Sequence, residues 1–153
     1  MDVLPRIEYK QFQLVEDQKA LDLPADWARQ VAGGRIAVPG GAGLLLATGG
    51  NDFYPAVRVE VRGVEPPGED ALWEVVESAE IRTESGVLRV RTWDGGIVGE
   101  GLSVAPGRCR VRVHCRGRAE AAALIGQELY YEGVEEWLLR VWPLPERSGA
   151  GLS

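Results

Sequence analysis

The chain has 153 residues, 45% of them apolar and 26% charged, with a formal net charge of −6. That length suits one domain burying roughly two-thirds of its unfolded surface, and the balance excludes a disordered or fibrous chain. The negative charge argues against general nucleic-acid binding, which needs a basic footprint to displace counterions.

The 20 glycines and 9 prolines fall between the apolar runs, which is the punctuation of a β protein. No stretch approaches the roughly twenty apolar residues of a membrane span. The opening MDVLPRIEYK lacks the basic start and apolar core of a signal peptide, so a cytoplasmic location is expected.

In chain order, Ile7 to Val15 is strand-like, but Ile7 and Tyr9 share one parity while Phe12 and Leu14 share the other, which predicts a bulge or bend near Lys10 and Gln11. DLPADWARQVA reads as a short helix with Asp22 as cap, Pro24 in its first turn and Trp27 and Val31 on one face, ended by Gly33 and Gly34. The runs 35–38 and 44–48 flank PGGAG as a β-hairpin. A phosphate loop is excluded there because no Lys followed by Ser or Thr comes after the glycines. Phe53 and Tyr54 follow in a turn, placed to cap the core.

Val57, Val59 and Val61 alternate with Arg58, Glu60 and Arg62 as a half-buried strand. After the turn-rich VEPPGEDA, residues 73–83 read as a strand with Trp73, Val75 and Ile81 inward. Ser85 and Gly86 make a hairpin turn into 87–93, and Asp94 to Gly96 make the next. Residues 119–127 are one or two helical turns or a loop. The last element, 128–142, carries Tyr130, Tyr131, Trp137, Leu139 and Val141 and closes at Pro143.

The clearest stretch is PGRCRVRVHCRGR, residues 106–118. Cys109, Val111, Val113 and Cys115 alternate with Arg108, Arg110, Arg112, His114 and Arg116, so one face enters a core and the other carries charge. On one strand the two cysteines stand about 20 Å apart at about 3.3 Å per residue, too far for a disulfide and for a shared zinc site. Strand parity also puts His114 and Cys115 on opposite faces, so they are not a nucleophile–base pair. No motif for a catalytic centre, a metal or another cofactor is present.

Arg108 to Arg118 holds five arginines and no acidic residue. Two readings stay open: a positive strip, with Arg110, Arg112 and His114 as its binding residues, or a row balanced by Glu128, Glu132, Glu135 and Glu136 of the following element. The second is favoured, because like charges in a row are costly unless a neighbour offsets them.

The expected fold is all-β: an antiparallel sandwich, jelly-roll-like or similar, with at most one or two short helices, over residues 1–145, and a flexible tail over 146–153. A closed barrel is the competing architecture. Tyr9-Lys10-Gln11-Phe12, the Pro106-Gly107 turn into an alternating strand, and the closing Val141-Trp142-Pro143 together resemble the small bacterial β-sandwich proteins typified by the competence-associated nuclease inhibitors. The resemblance rests on scattered positions near both ends of the chain. It implies a cytoplasmic, non-catalytic protein that binds a nuclease or toxin as an inhibitor or immunity factor would. Two alternatives remain: a small-ligand or carbohydrate module using Phe53, Tyr54 or Trp93 at a loop end, and an enzyme on a β scaffold using His114 beside a carboxylate.

Overall fold

Alternating strands build two five-stranded sheets in a computed structural model that describes residues 1–68 and 70–146. In chain order the elements are β1 (Asp2–Val3), β2 (Gln11–Glu16), α1 (Trp27–Ala32), β3 (Ala37–Pro39), β4 (Gly43–Ala47) and β5 (Tyr54–Val61). There follow a 3₁₀ turn (Asp70–Leu72), β6 (Val75–Thr83), β7 (Val87–Thr92), β8 (Ile97–Ser103), β9 (Gly107–Arg116), α2 (Arg118–Ala123) and β10 (Glu132–Pro143). Sheet A runs β1-β5-β10-β9-β6 and sheet B runs β3-β4-β2-β7-β8. All neighbours are antiparallel except β5 and β10, which run parallel. The all-β expectation and the two short helices are both found. Of the expected tail, Glu146 is described and pairs with Arg82; 147–153 lie outside the described residues.

One core joins the sheets. Cys109, Val111, Val113 and Cys115 of β9, Trp137 and Leu139 of β10, and Val57 and Val59 of β5 meet Phe12, Leu14, Leu44, Leu46, Leu88 and Val90 of sheet B. Phe12 and Trp137 pack edge to face with ring centroids 5.2 Å apart. Each large side chain buried in this way contributes about 1.5–3 kcal/mol. Both cysteines are free and buried, and burial pushes their thiols up, away from the reactive thiolate.

The remaining differences from the sequence reading have local causes. The helix starts at Trp27, so Asp26 rather than Asp22 occupies its cap and Pro24 stands in the turn before it. Trp27 and Val31 still share a face, which covers Val38, Leu45 and Ala47 on the outside of sheet B. The parity change in residues 7–15 is a turn: Tyr9 and Lys10 both adopt left-handed backbone angles, with φ of 57° and 55°, and Glu8 bridges to Gln11. The Ser85-Gly86 turn joins no hairpin. It carries the chain from β6 in sheet A to β7 in sheet B, held by the Glu16 carboxylate, which accepts from the N–H groups of Glu84 and Ser85.

β5 and β6 run the same way and are separated by β10 and β9, and of their connection residues 62–68 and 70–74 cross the outer face of sheet A, where carbonyls of Pro66 and Leu72 accept from Arg112 and Arg116. That crossing strap packs on Arg112, His114, Arg116 and Arg140 of this face. Trp73 precedes β6 instead of joining it, and its ring packs against His114 on the outer face, not in the core.

Candidate functional site

On the outer face of sheet A, β9 presents its arginines in register with acidic partners. Glu80 of β6 receives Arg108 through two bonds of 3.1 and 2.8 Å and lies 3.9 Å from Arg110. Glu136, opposite Arg116 on β10, accepts from it at 2.6 Å. Arg140 reaches Glu60 at 3.1 Å. The strap supplies the rest. Carbonyls of Pro66, Pro67 and Leu72 accept from Arg112, Arg140 and Arg116, and Glu65 lies 3.7 Å from Arg112. Arg116 also stacks over Trp73, and Arg112 over Trp142.

Arg110, Arg112 and His114 are thereby told apart. Arg112 keeps 15% of its side chain exposed and Arg110 keeps 37%. His114 is fully buried, with Nδ1 donating to the Leu138 carbonyl at 3.1 Å and the ring tilted against Trp73. The balanced reading of the row describes the observed pairing, but the acids differ from those expected. Glu136 takes part, whereas Glu60, Glu65 and Glu80 sit on β5, the strap and β6. Beside the strap lies a groove of about 760 Å³, lined by Leu4, Ala56, Leu72 and Leu138 among others. Its arginines are committed to neighbours: Arg58 to Asp2, Arg116 to Glu136 and Arg140 to Glu60.

A second region is built differently. At one end of the sandwich the 8–11 turn, the 48–54 loop and the 128–132 segment are laced together by backbone bonds: Thr48 N–H to Lys10, Asp52 N–H to Ile7, Tyr130 N–H to Asp52 and Tyr54 N–H to Tyr131. Asp52 and Tyr130 are held at φ of 52° and 57°. The lacing leaves side chains outside: Tyr9 is 66% exposed, Leu129 64%, Tyr130 48% and Trp93 47%. Tyr9 and Trp93 lie ring to ring at 4.3 Å, and Arg6 sits 4.8 Å over Tyr130 while donating to its hydroxyl. Beneath Trp93 is a pocket of about 320 Å³, lined among others by Tyr54, Ile97, Arg6, Glu8 and Asp94. Phe53 is buried and stacks on Tyr131, capping the core as its size predicts.

Glu135 supports this end from inside. A bulge in β10 between Glu132 and Glu136, with Gly133 and Val134 at positive φ, turns its carboxylate inward. There it accepts from Gly49 N–H at 2.8 Å, Gly50 N–H at 3.2 Å and the Trp137 indole N–H at 2.7 Å. Burial raises this carboxyl above its ordinary value against the pull of those donors and of Arg118. Gly49 is required for the approach, since a Cβ there would stand 2.5 Å from the Arg118 carbonyl.

No family model and no curated protein matches the sequence. Two solved structures match in shape over nearly the whole chain. One is described as crocagin biosynthetic gene J, at TM-score 0.61 and 22% identity, covering 95% of this chain and 96% of that one. The other is the crystal structure of ComJ from Bacillus subtilis, described as the inhibitor of the DNA-degrading activity of NucA. It matches at TM-score 0.61 and 10% identity over 94% of each chain. The fold is that of ComJ. At these identities the likeness concerns architecture alone.

Among the described residues, no helix is long and apolar enough to cross a membrane, and no three His, Cys, Asp or Glu side chains gather to hold a metal. Tyr9 and Tyr130 were not legible as exposed residues, since each stands in a run that reads as strand. The one available signal was the parity change that marks the turn at Lys10.

Proposed function

We propose that the protein is a non-catalytic binding protein of the inhibitor or immunity type, which occludes a protein partner, a nuclease or toxin, with the loop end that carries Tyr9, Trp93 and Tyr130. The observation that carries this reading is the set of exposed rings held on a laced backbone. Rigid aromatic side chains with Arg beside them are the residues that anchor protein interfaces, because they present large area with little rotamer freedom to lose. A backbone already bonded in place adds little ordering cost on association. The fold shared with an inhibitor supports the class of function, and the crocagin protein shows that the architecture also serves elsewhere.

Occlusion at a standard interface would cover about 800 Å² of this protein's surface. The test is affinity capture on tagged wild type and on a Tyr9→Ala/Trp93→Ala variant shown to be folded by circular dichroism. The expected result is one protein retained by wild type and lost by the variant, whose nuclease or toxin activity falls when wild-type protein is added back. Retention of no protein by wild type, or equal retention by both, contradicts the reading.

A further inference from the structure

The charges around the exposed rings say what they face. Glu8, Asp52, Asp94, Glu128 and Glu132 belong to this end, together with Arg6 and Lys10, while Arg118 lies on its inner side, donating to the Ala47 carbonyl. Arg6 is already committed to Glu8 at 3.3 Å and to Tyr130. Among the described residues no ion pair falls on Asp52, Asp94, Glu128 or Glu132, whereas the arginines of the sheet A face are matched by neighbouring acids or carbonyls. The pocket beneath Trp93 combines two kinds of wall. Tyr54 and Trp93 offer aromatic surface and Asp94 offers a carboxylate, while Glu8 is paired with Arg6 on the same lining. The Thr92 hydroxyl and the Gly96 N–H hold the Asp94 carboxyl below its ordinary value, so it stays ionised.

An aromatic wall beside an unpaired carboxylate complements one chemistry above others, a guanidinium or ammonium group: the ring attracts it over its face and the carboxylate pairs with its N–H groups. Arg6 over Tyr130 shows that geometry within the chain. Resting on the binding role proposed above, we infer that this end is the docking surface for a cationic protein face, and that the 320 Å³ pocket between Trp93 and Tyr54 seats one of that partner's arginine or lysine side chains. The surrounding negative field steers such a partner and makes the association salt-sensitive.

The test uses the full chain and three synthetic peptides: nona-arginine, nona-glutamate and a neutral Gly-Ser nonamer. Binding is followed by isothermal titration at low salt and at 300 mM salt. Wild type is expected to take up the arginine peptide alone, with affinity falling steeply in salt. Trp93→Ala is expected to weaken it about tenfold. Asp94→Asn should weaken it several-fold, while Asp26→Asn at the cap of α1, by the other edge of sheet B, leaves it within twofold of wild type. Equal binding of the neutral or acidic peptide overturns the inference. So does an equal loss from Asp26→Asn, which would reduce the effect to net charge. The capture experiment separates this inference from the reading it rests on. A captured partner lost by Tyr9→Ala/Trp93→Ala but indifferent to salt and to Asp94→Asn keeps the binding role and overturns the cationic seat. Site-dependent binding of the arginine peptide with no captured partner supports the seat and contradicts the inhibitor role.

Discussion

The outer face of sheet A and the loop end of the sandwich are both rich in charge and aromatic rings, yet they solve opposite problems. On the sheet face, cations are paired in register or tied to strap carbonyls, and Trp73 and Trp142 lie under guanidinium groups. At the loop end the backbone is bonded and rings are left outward, with four carboxylates that make no ion pair among the described residues. A charged surface that satisfies itself holds the fold together, and one that does not is available to something else. The row on β9, for which the sequence favoured balance by neighbouring acids over a binding strip, also ties a crossing strap to its sheet.

The comparison breaks most visibly at Glu135. Replacing it with Ala strips the acceptor from two buried donors, the Gly50 N–H and the Trp137 indole, and from the half-buried Gly49 N–H, at a cost of about 3 kcal/mol. Urea unfolding measures this, and a loss below about 1 kcal/mol contradicts the role given to it. Arg140→Ala removes the buried tie between β10, Glu60 and the Pro67 carbonyl and is expected to cost about 2 kcal/mol without touching partner binding. Trp93→Ala reverses that pattern. Stability should stay within about 0.5 kcal/mol of wild type by the same urea assay, while the partner is lost.

A smaller effect separates two buried glutamates by sign. Burial pushes the Glu16 carboxyl up, but the Ser85 and Glu84 N–H groups outweigh it, so its folded value lies below the ordinary 4.5. Its contribution is complete above that ordinary value and is lost as pH falls through the lower folded one. Glu135, raised by burial, behaves in reverse: the native state holds the extra proton, so stability falls as pH rises from 4.5 through the folded value. Glu16→Gln should flatten the acid arm of a stability–pH curve and Glu135→Gln the upper slope. Unchanged curves in either variant contradict the assignment.

Much of the fold was legible because it rests on parity. Cys109 to Cys115 and Val57 to Val61 each put their apolar members inside, and the 37–47 hairpin follows from its glycines. What parity does not carry is strand order. The parallel pairing of β5 with β10 is decided by sequence-distant contacts, and with it the fate of residues 62–68 and 70–74 as a strap. The site was less legible for the same reason. Trp93 was recognised as a loop-end aromatic, but its contact with Tyr9 joins turns 84 positions apart in sequence, and Tyr130 is exposed because Asp52 holds its backbone in a left-handed turn. Glu135 looked like an outward charge balancing arginines until the bulge at Gly133 turned it inward.

The most direct measurement compares partner retention by wild type, Tyr9→Ala/Trp93→Ala and Arg110→Glu, all folded by circular dichroism. Arg110 is the most exposed of the three residues first singled out on β9, and its reversal should cost under about 1 kcal/mol. Retention lost in the aromatic variant and kept in Arg110→Glu is the predicted result. Retention kept in the aromatic variant and lost in Arg110→Glu would place the interface on the sheet A face and contradict the account.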